Sequence, residues 1–198
     1  GCVIVRDGVV VGEGWHARAG EPHAEVHALR MAGERARGAT AYVTLEPCSH
    51  HGRTPPCANA LIDAGLSRVV AAMRDPNPQV AGGGISLLTL AGIQAEVGLL
   101  EAEARELNIG FVARMTRGRP WLRVKTASSL DGGTALLNGE SKWITGAAAR
   151  ADGQAWRARA CAILTGVGTV LADDPQMNVR DFATPRQPLK IIVDSRLN

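Results

Sequence analysis

Apolar positions fall into short β-branched runs and helically spaced small residues. Val3-Ile4-Val5 and Val9-Val10-Val11 flank Asp7-Gly8, which predicts a hairpin of strands over 2–5 and 9–12. A Gly-rich loop spans 12–22. Ala24, His27, Ala28, Met31 and Ala32 then recur at helical spacing, predicting a helix from His23 that ends before Gly38. Residues 41–45 read as a buried strand running into a polar loop, Glu46 to Cys57, held by three prolines. A helix over 58–64 closed by Gly65, a strand over 69–73, a turn over 75–78, a helix over 85–90 stopped by Gly92 and a helix over 101–112 follow. Gly82-Gly83-Gly84 reads as loop.

Arg117-Gly118-Arg119-Pro120 reads as a linker, after which the pattern restarts: strand 121–127, helix 147–158, strands 162–165 and 189–193. Alternating strands and helices predict α/β layers in two domains, 1–117 and 118–198. The chain opens in a strand without an initiator Met and stops just after another, so it reads as truncated at both ends.

Composition narrows the function. At 45% hydrophobic residues the chain is not disordered. A net charge of +3 without a basic run, and 4% aromatics, do not imply nucleic acid. No apolar stretch approaches the roughly 20 residues of a membrane span, and no secretory signal is visible. Four unevenly spaced cysteines suit a reducing cytoplasm better than a disulfide framework. Cys2 and Cys161 read as small buried hydrophobes.

The chemistry lies in His23-Ala24-Glu25 and in Pro47-Cys48 with Cys57. One imidazole and two thiols are the donors zinc takes tetrahedrally, and three protein ligands leave a position open for catalysis. Zinc there would acidify a water, and Glu25 would carry its proton to a leaving amine. His-x-Glu followed by Pro-Cys is the signature of zinc deaminases, although the second cysteine comes much later here than in Cys-x-x-Cys. Other readings of these residues are a Cys48–Cys57 disulfide and a structural zinc closed by His16, His50 or His51. His27 reads as a packing residue. His50 and Arg53, between two ligands, suit contact with an anion.

The loop decides the branch. C-S-H-H-G-R-T-P-P-C, preceded by A-Y-V-T-L-E-P, resembles the bifunctional riboflavin-biosynthesis deaminase–reductases. The likeness covers essentially the whole chain: G-C-V-I-V, G-E-P-H-A-E-V-H-A-L, D-P-N-P-Q-V-A-G, S-L-D-G, G-E-S-K-W-I-T and L-A-D-D-P. It implies a cytidine-deaminase-like α/β/α layered domain followed by a partial dihydrofolate-reductase-like domain. It implies deamination of 2,5-diamino-6-ribosylamino-4(3H)-pyrimidinone 5′-phosphate with one zinc ion per chain, then NADPH-dependent reduction of the ribosyl group to ribityl. His23, Cys48 and Cys57 match the zinc ligands, Glu25 the proton shuttle, and His50 and Arg53 the sugar-phosphate contacts. Ala127, Trp143, Thr169, Asp173 and Ser195 match NADP-contacting positions, Trp143 reading equally well as core packing. Ser141, Arg157, Met177 and Arg180 match substrate-contacting ones. A homo-oligomer acting on a small molecule, with neither nucleic acid nor membrane as partner, completes the expectation. The other enzyme reading is a cytidine or tRNA-adenosine deaminase, and the non-enzyme reading a zinc-stabilised interaction module.

Overall fold

In the computed structural model, which describes residues 1–52, 54–78 and 80–196, β1 (Cys2–Arg6) and β2 (Val9–Gly14) form the hairpin. Asp7 and Gly8 both take positive φ, 52° and 76°, as a tight turn between right-twisted strands requires. The chain divides into two units, Gly1–Leu122 and Arg123–Asn198.

The first unit is built on a five-stranded sheet in the order β2-β1-β3-β4-β5. β1 pairs antiparallel with β2 and with β3 (Thr40–Val43); β4 (Arg68–Ala71) and β5 (Gln94–Val97) continue parallel to β3. Ile4, Ala41, Val69 and Ala71 supply its buried side chains, packed with Ala28, Leu61 and Leu88 from the helices. Small residues let α1 (Ala24–Ala32) settle directly on the hairpin. A Cβ on Gly12 would stand 2.2 Å from the Ala28 carbonyl oxygen, and one on Gly14 would stand 2.4 Å from that of Ala24. Neither distance is possible for a side chain, so both glycines are required by close approach. α2 (Cys57–Asp63) and α3 (Gly83–Leu90) extend this helical layer.

Several expectations are corrected. Gly83 and Gly84 are the first turn of α3, with only Gly82, at φ 90°, in the preceding loop. The expected helix over 101–112 is two, α4 (Glu101–Leu107) and α5 (Ile109–Arg117), broken at Asn108 where φ is −106°. β5 went unseen because four residues after a helix stop carry little periodicity. Residues 121–127 form no strand, since no ladder partner lies beside them among the described residues. Cys2 is buried, but Cys161 is exposed.

In the second unit, β6 (Ala162–Gly166) and β7 (Leu189–Val193) run parallel, joined through α7 (Val167–Asp173), a helix absent from the sequence reading. α6 (Ala147–Arg159) precedes them. Its Trp156 ring is covered by the Arg123 and Arg159 guanidinium groups, 3.5 and 4.7 Å from its centroid. No described helix is long and apolar enough to cross a membrane.

Candidate metal centre

Three segments far apart in sequence converge at one end of the first unit. His23 is the N-cap of α1, so the seating of α1 on Gly12 and Gly14 fixes its backbone. Cys48 lies on the loop leaving the C-terminal end of β3, and Cys57 opens α2. The Ala58 N–H donates to the Cys48 carbonyl at 3.1 Å, and the Cys57 N–H donates to Cys48 Sγ at 3.2 Å, folding the long loop back on itself.

The side chains meet. His23 Nδ1 lies 3.6 Å from Cys48 Sγ and 3.3 Å from Cys57 Sγ, and the three donor atoms all lie within 4.8 Å of one another. Zinc–nitrogen and zinc–sulfur bonds of about 2.0 and 2.3 Å set tetrahedrally place nitrogen and sulfur about 3.5 Å apart, so this donor set fits the ion. Among the described residues the cluster has these three members, without the closed fourth position that His16, His50 or His51 would have supplied. All four cysteines are free, which removes the disulfide reading. Thr54 Oγ1 lies 3.4 Å from His23 Nε2. With Nδ1 on an ion, Nε2–H would be the donor in this contact, the outer hydrogen bond that fixes a metal-binding imidazole.

Electrostatics separates the two thiols. The Cys57 thiol and backbone N–H both donate to Cys48 sulfur, and with the nearby His23 they hold the Cys48 pKa down to about 5. Cys57 is pushed up because it is the donor in that pair, is buried, and lies beside Glu25. Glu25 is itself buried, and burial raises its pKa, with the Cys48 charge adding to the effect. The carboxyl of the second residue of α1 therefore stands against the thiol cluster.

The residue that sequence reasoning missed is Glu46. Its buried carboxylate accepts from the N–H groups of Asp75 and Gly82 through Oε2, at 3.1 and 3.0 Å. Through Oε1 it accepts from Gly84 and Ile85, at 3.0 and 3.2 Å. Asp75, expected only as part of a turn, is also buried. It lies close enough to His50 and Cys48 for both to influence its carboxyl, whose pKa burial raises. His50 is exposed on the loop between the cysteines, and Arg53 lies outside the described residues. His16 stands edge-on to the His23 ring, centroids 5.1 Å apart. His27 packs its Cβ against Gly14, as a structural residue does. An apolar cavity of about 600 Å³ lies elsewhere in this unit, lined by Trp15, Tyr42, Val70, Leu100 and Leu107, away from the metal ligands.

Known proteins resemble the chain along nearly its whole length. The chain is 60% identical to riboflavin biosynthesis protein RibD of Escherichia coli over 208 aligned residues, covering 99% of this chain. The chain matches the RibD family of bifunctional deaminase–reductases. Residues 1–73 match the profile of the cytidine and deoxycytidylate deaminase zinc-binding region, and residues 120–198 that of the RibD C-terminal domain. The RibD of Haemophilus influenzae is 54% identical over 99% of the chain. The solved RibD of Acinetobacter baumannii superimposes with a TM-score of 0.92 at 56% identity over 100% of the chain. A Thermotoga maritima structure, described as a diaminohydroxyphosphoribosylaminopyrimidine deaminase/5-amino-6-(5-phosphoribosylamino)uracil reductase, gives 0.91 at 42% identity over 98% of it. The chain spans little more than half of these relatives: 57% of the Escherichia coli and Acinetobacter RibD and 55% of the Thermotoga protein. The fold follows: a cytidine-deaminase-like α/β/α domain, then a RibD C-terminal, dihydrofolate-reductase-like domain.

The RibD C-terminal residues singled out from sequence fall into two groups. Thr169 and Asp173 lie on α7, which begins where β6 ends, and Ser195 follows β7. Thr169 and Ser195 thus lie on segments that leave the C-terminal ends of the parallel strands β6 and β7, the end at which α/β sheets bind ligands, while Asp173 ends α7. Arg157 donates to the Asn178 carbonyl at 3.2 Å, and the Arg180 N–H donates to Gln154 at 3.0 Å, so α6 holds the segment that carries Arg180 against Arg157, with Met177, one residue before Asn178, buried. Arg157 has its pKa lowered by burial and then by Arg180, placing the two cations within reach of each other. Trp143 is exposed with the Arg150 guanidinium 4.4 Å from its ring centroid, which overturns its reading as core. Ala127 is half-buried and Ser141 exposed; no hydrogen bond among the described residues joins either to these groups.

Proposed function

We propose that the first unit is a zinc-dependent deaminase acting on 2,5-diamino-6-ribosylamino-4(3H)-pyrimidinone 5′-phosphate, and that the second contributes to the NADPH-dependent reduction that follows. The observation carrying the first half is the Glu25 carboxyl set against the His23–Cys48–Cys57 cluster. His23 Nδ1 and the two sulfurs would hold the ion, which when bound would supply a water acidic enough to act as nucleophile near neutral pH. Glu25 would carry the water's protons, one to the ring nitrogen and one to the departing amine, so that the new carbon–oxygen bond replaces the carbon–nitrogen bond and the hydrolysis ends in ammonia and a ring carbonyl. His50 and Arg53, which fall between Cys48 and Cys57 in the sequence, hold the ribosyl phosphate.

For the second half, Ala127, Trp143, Thr169, Asp173 and Ser195 contact NADPH, and Ser141, Arg157, Met177 and Arg180 the sugar phosphate. The support is that the segments bearing Thr169 and Ser195 leave the C-terminal ends of two parallel strands, and that Arg157 and Arg180 lie near enough to influence each other, two cations suited to a phosphate. A cytoplasmic homo-oligomer goes with this reading. The test is ammonia release from the diaminopyrimidinone ribosyl phosphate by zinc-loaded protein, with and without NADPH. Release that requires zinc but not NADPH is expected; none, from folded protein with full zinc, overturns the reading.

A further inference from the structure

We propose that Glu46 is a positioning residue that ties the Cys48 loop to the Asp75–Ile85 segment and thereby holds the Asp75 backbone to the loop that carries Cys48. The inference rests on the deaminase reading above and extends it to a residue that touches neither metal nor substrate.

β3 and β4 are parallel neighbours, and both connections that build the site leave their C-terminal ends. The pairing runs past the strands: the Ala72 N–H donates to the Val43 carbonyl at 2.8 Å and the Glu46 N–H donates to the Met73 carbonyl at 3.0 Å. Beyond that point two loops diverge, one to Cys48 and the other through Asp75 to α3. The Glu46 side chain bridges the gap. Four N–H groups, of Asp75, Gly82, Gly84 and Ile85, point at its two oxygens. Those of Gly84 and Ile85 are among the first donors of α3, which have no partner inside the helix.

A carboxylate is the side chain this site requires. It offers acceptors only, whereas a glutamine amide turned either way sets an NH₂ group against two N–H donors. The glycines complete the joint. A Cβ on Gly84 would lie 1.9 Å from the Pro47 carbonyl oxygen, and one on Gly83 2.6 Å from Ser49 Oγ. The first turn of α3 is thus pressed onto the residues flanking Cys48. Asp75 is held at both ends of this geometry: its N–H by Glu46 at 3.1 Å, its Oδ1 by the Asn77 N–H at 2.8 Å.

The test is a double-mutant cycle on the zinc-loaded full chain, using Glu46→Gln and Asp75→Asn and reading kcat/KM for ammonia release. Displacement of a site group by about 1 Å costs on the order of 100-fold, so Glu46→Gln alone is expected to lower kcat/KM by roughly 10- to 100-fold. With Asp75→Asn already present it should lower it by no more than about twofold, because residues acting through one another are not additive. Full additivity overturns the proposal. Amide exchange is the second readout: Glu46→Gln should expose the N–H groups of Asp75, Gly82, Gly84 and Ile85 while β1 and α1 keep their protection. Unchanged exchange at Asp75 overturns the proposal even if activity falls. If Glu46→Gln does not fold, Glu46→Asp, which keeps the charge but reaches fewer donors, enters the same two measurements. An inactive parent protein overturns the deaminase reading alone, and exchange at Asp75 then decides the role of Glu46.

Discussion

A Cβ on Gly14 would stand 2.4 Å from the carbonyl oxygen of Ala24, the residue after the His23 cap of α1. An edge strand and a ligand-bearing helix are thereby in backbone contact, and the position of the imidazole is inherited from a glycine nine residues before it.

Gly14→Ala is expected to cost about 1–3 kcal/mol, as overpacking does, and to weaken zinc binding by moving His23. Gly8→Ala is the control. Nothing lies within 4 Å of its Cβ position, but its φ is +76°, so it should cost about 1–2 kcal/mol of backbone strain with zinc affinity unchanged. Urea unfolding and chelator competition on both variants separate the effects.

Glu25→Gln should keep the metal and the fold yet lower ammonia release by roughly 10²- to 10⁴-fold, the range for loss of a positioned proton carrier. Metal content and circular dichroism must match the parent. A variant that still turns over at more than a tenth of the parental rate would sink the assignment.

Cys48 is the thiol that ionises first, with a pKa lowered to about 5. In metal-free protein its alkylation rate should therefore climb as pH rises from about 4 to about 6 and level off by about 7, well below the ordinary thiol near 8.5. Cys57 should lag throughout. Mass spectrometry of iodoacetamide-treated protein resolves the two, and zinc loading should suppress both.

Across the parallel strands β4 and β5, Arg68 donates from Nε and Nη2 to the two Glu96 oxygens at 3.1 and 2.8 Å. This bidentate pair lowers the Glu96 pKa, chiefly through the Arg68 hydrogen bond. A carboxyl depressed on folding contributes stability that is present above its unfolded pKa and is lost as pH falls through the folded one. Carboxyl NMR titration should show Glu96 below the usual glutamate range, returning to it in Arg68→Gln. The pair is exposed, so the shift should shrink with added salt.

The hairpin, α1 and the His23–Cys48–Cys57 cluster were legible because each rests on a local signal. Asp-Gly sets the turn, alanines mark the buried stripe, and cysteines in a proline-held polar loop are poor candidates for packing alone. Glu46 was not legible: its partners lie 29 to 39 positions away and are all backbone groups, so no side-chain pattern announces them. Gly83 and Gly84 misled for a related reason. Glycine lowers helix propensity, but here the helix start must approach Pro47 too closely for any Cβ. The strand expected over 121–127 shows the reverse error, an apolar alternation with no ladder partner among the described residues.

The separation of the ligands along the chain has a consequence for how the protein acquires its metal. Cys48 and Cys57 are 9 residues apart, and His23 joins Cys48 across 25. The shorter loop is the cheaper to close, so the two thiols form a local pair, whereas the imidazole reaches them through the seating of α1 on the hairpin. A metal would therefore meet one half of its donor set made by sequence neighbours and the other half made by tertiary packing, and a variant that unseats α1 should lose the imidazole while keeping the thiol pair.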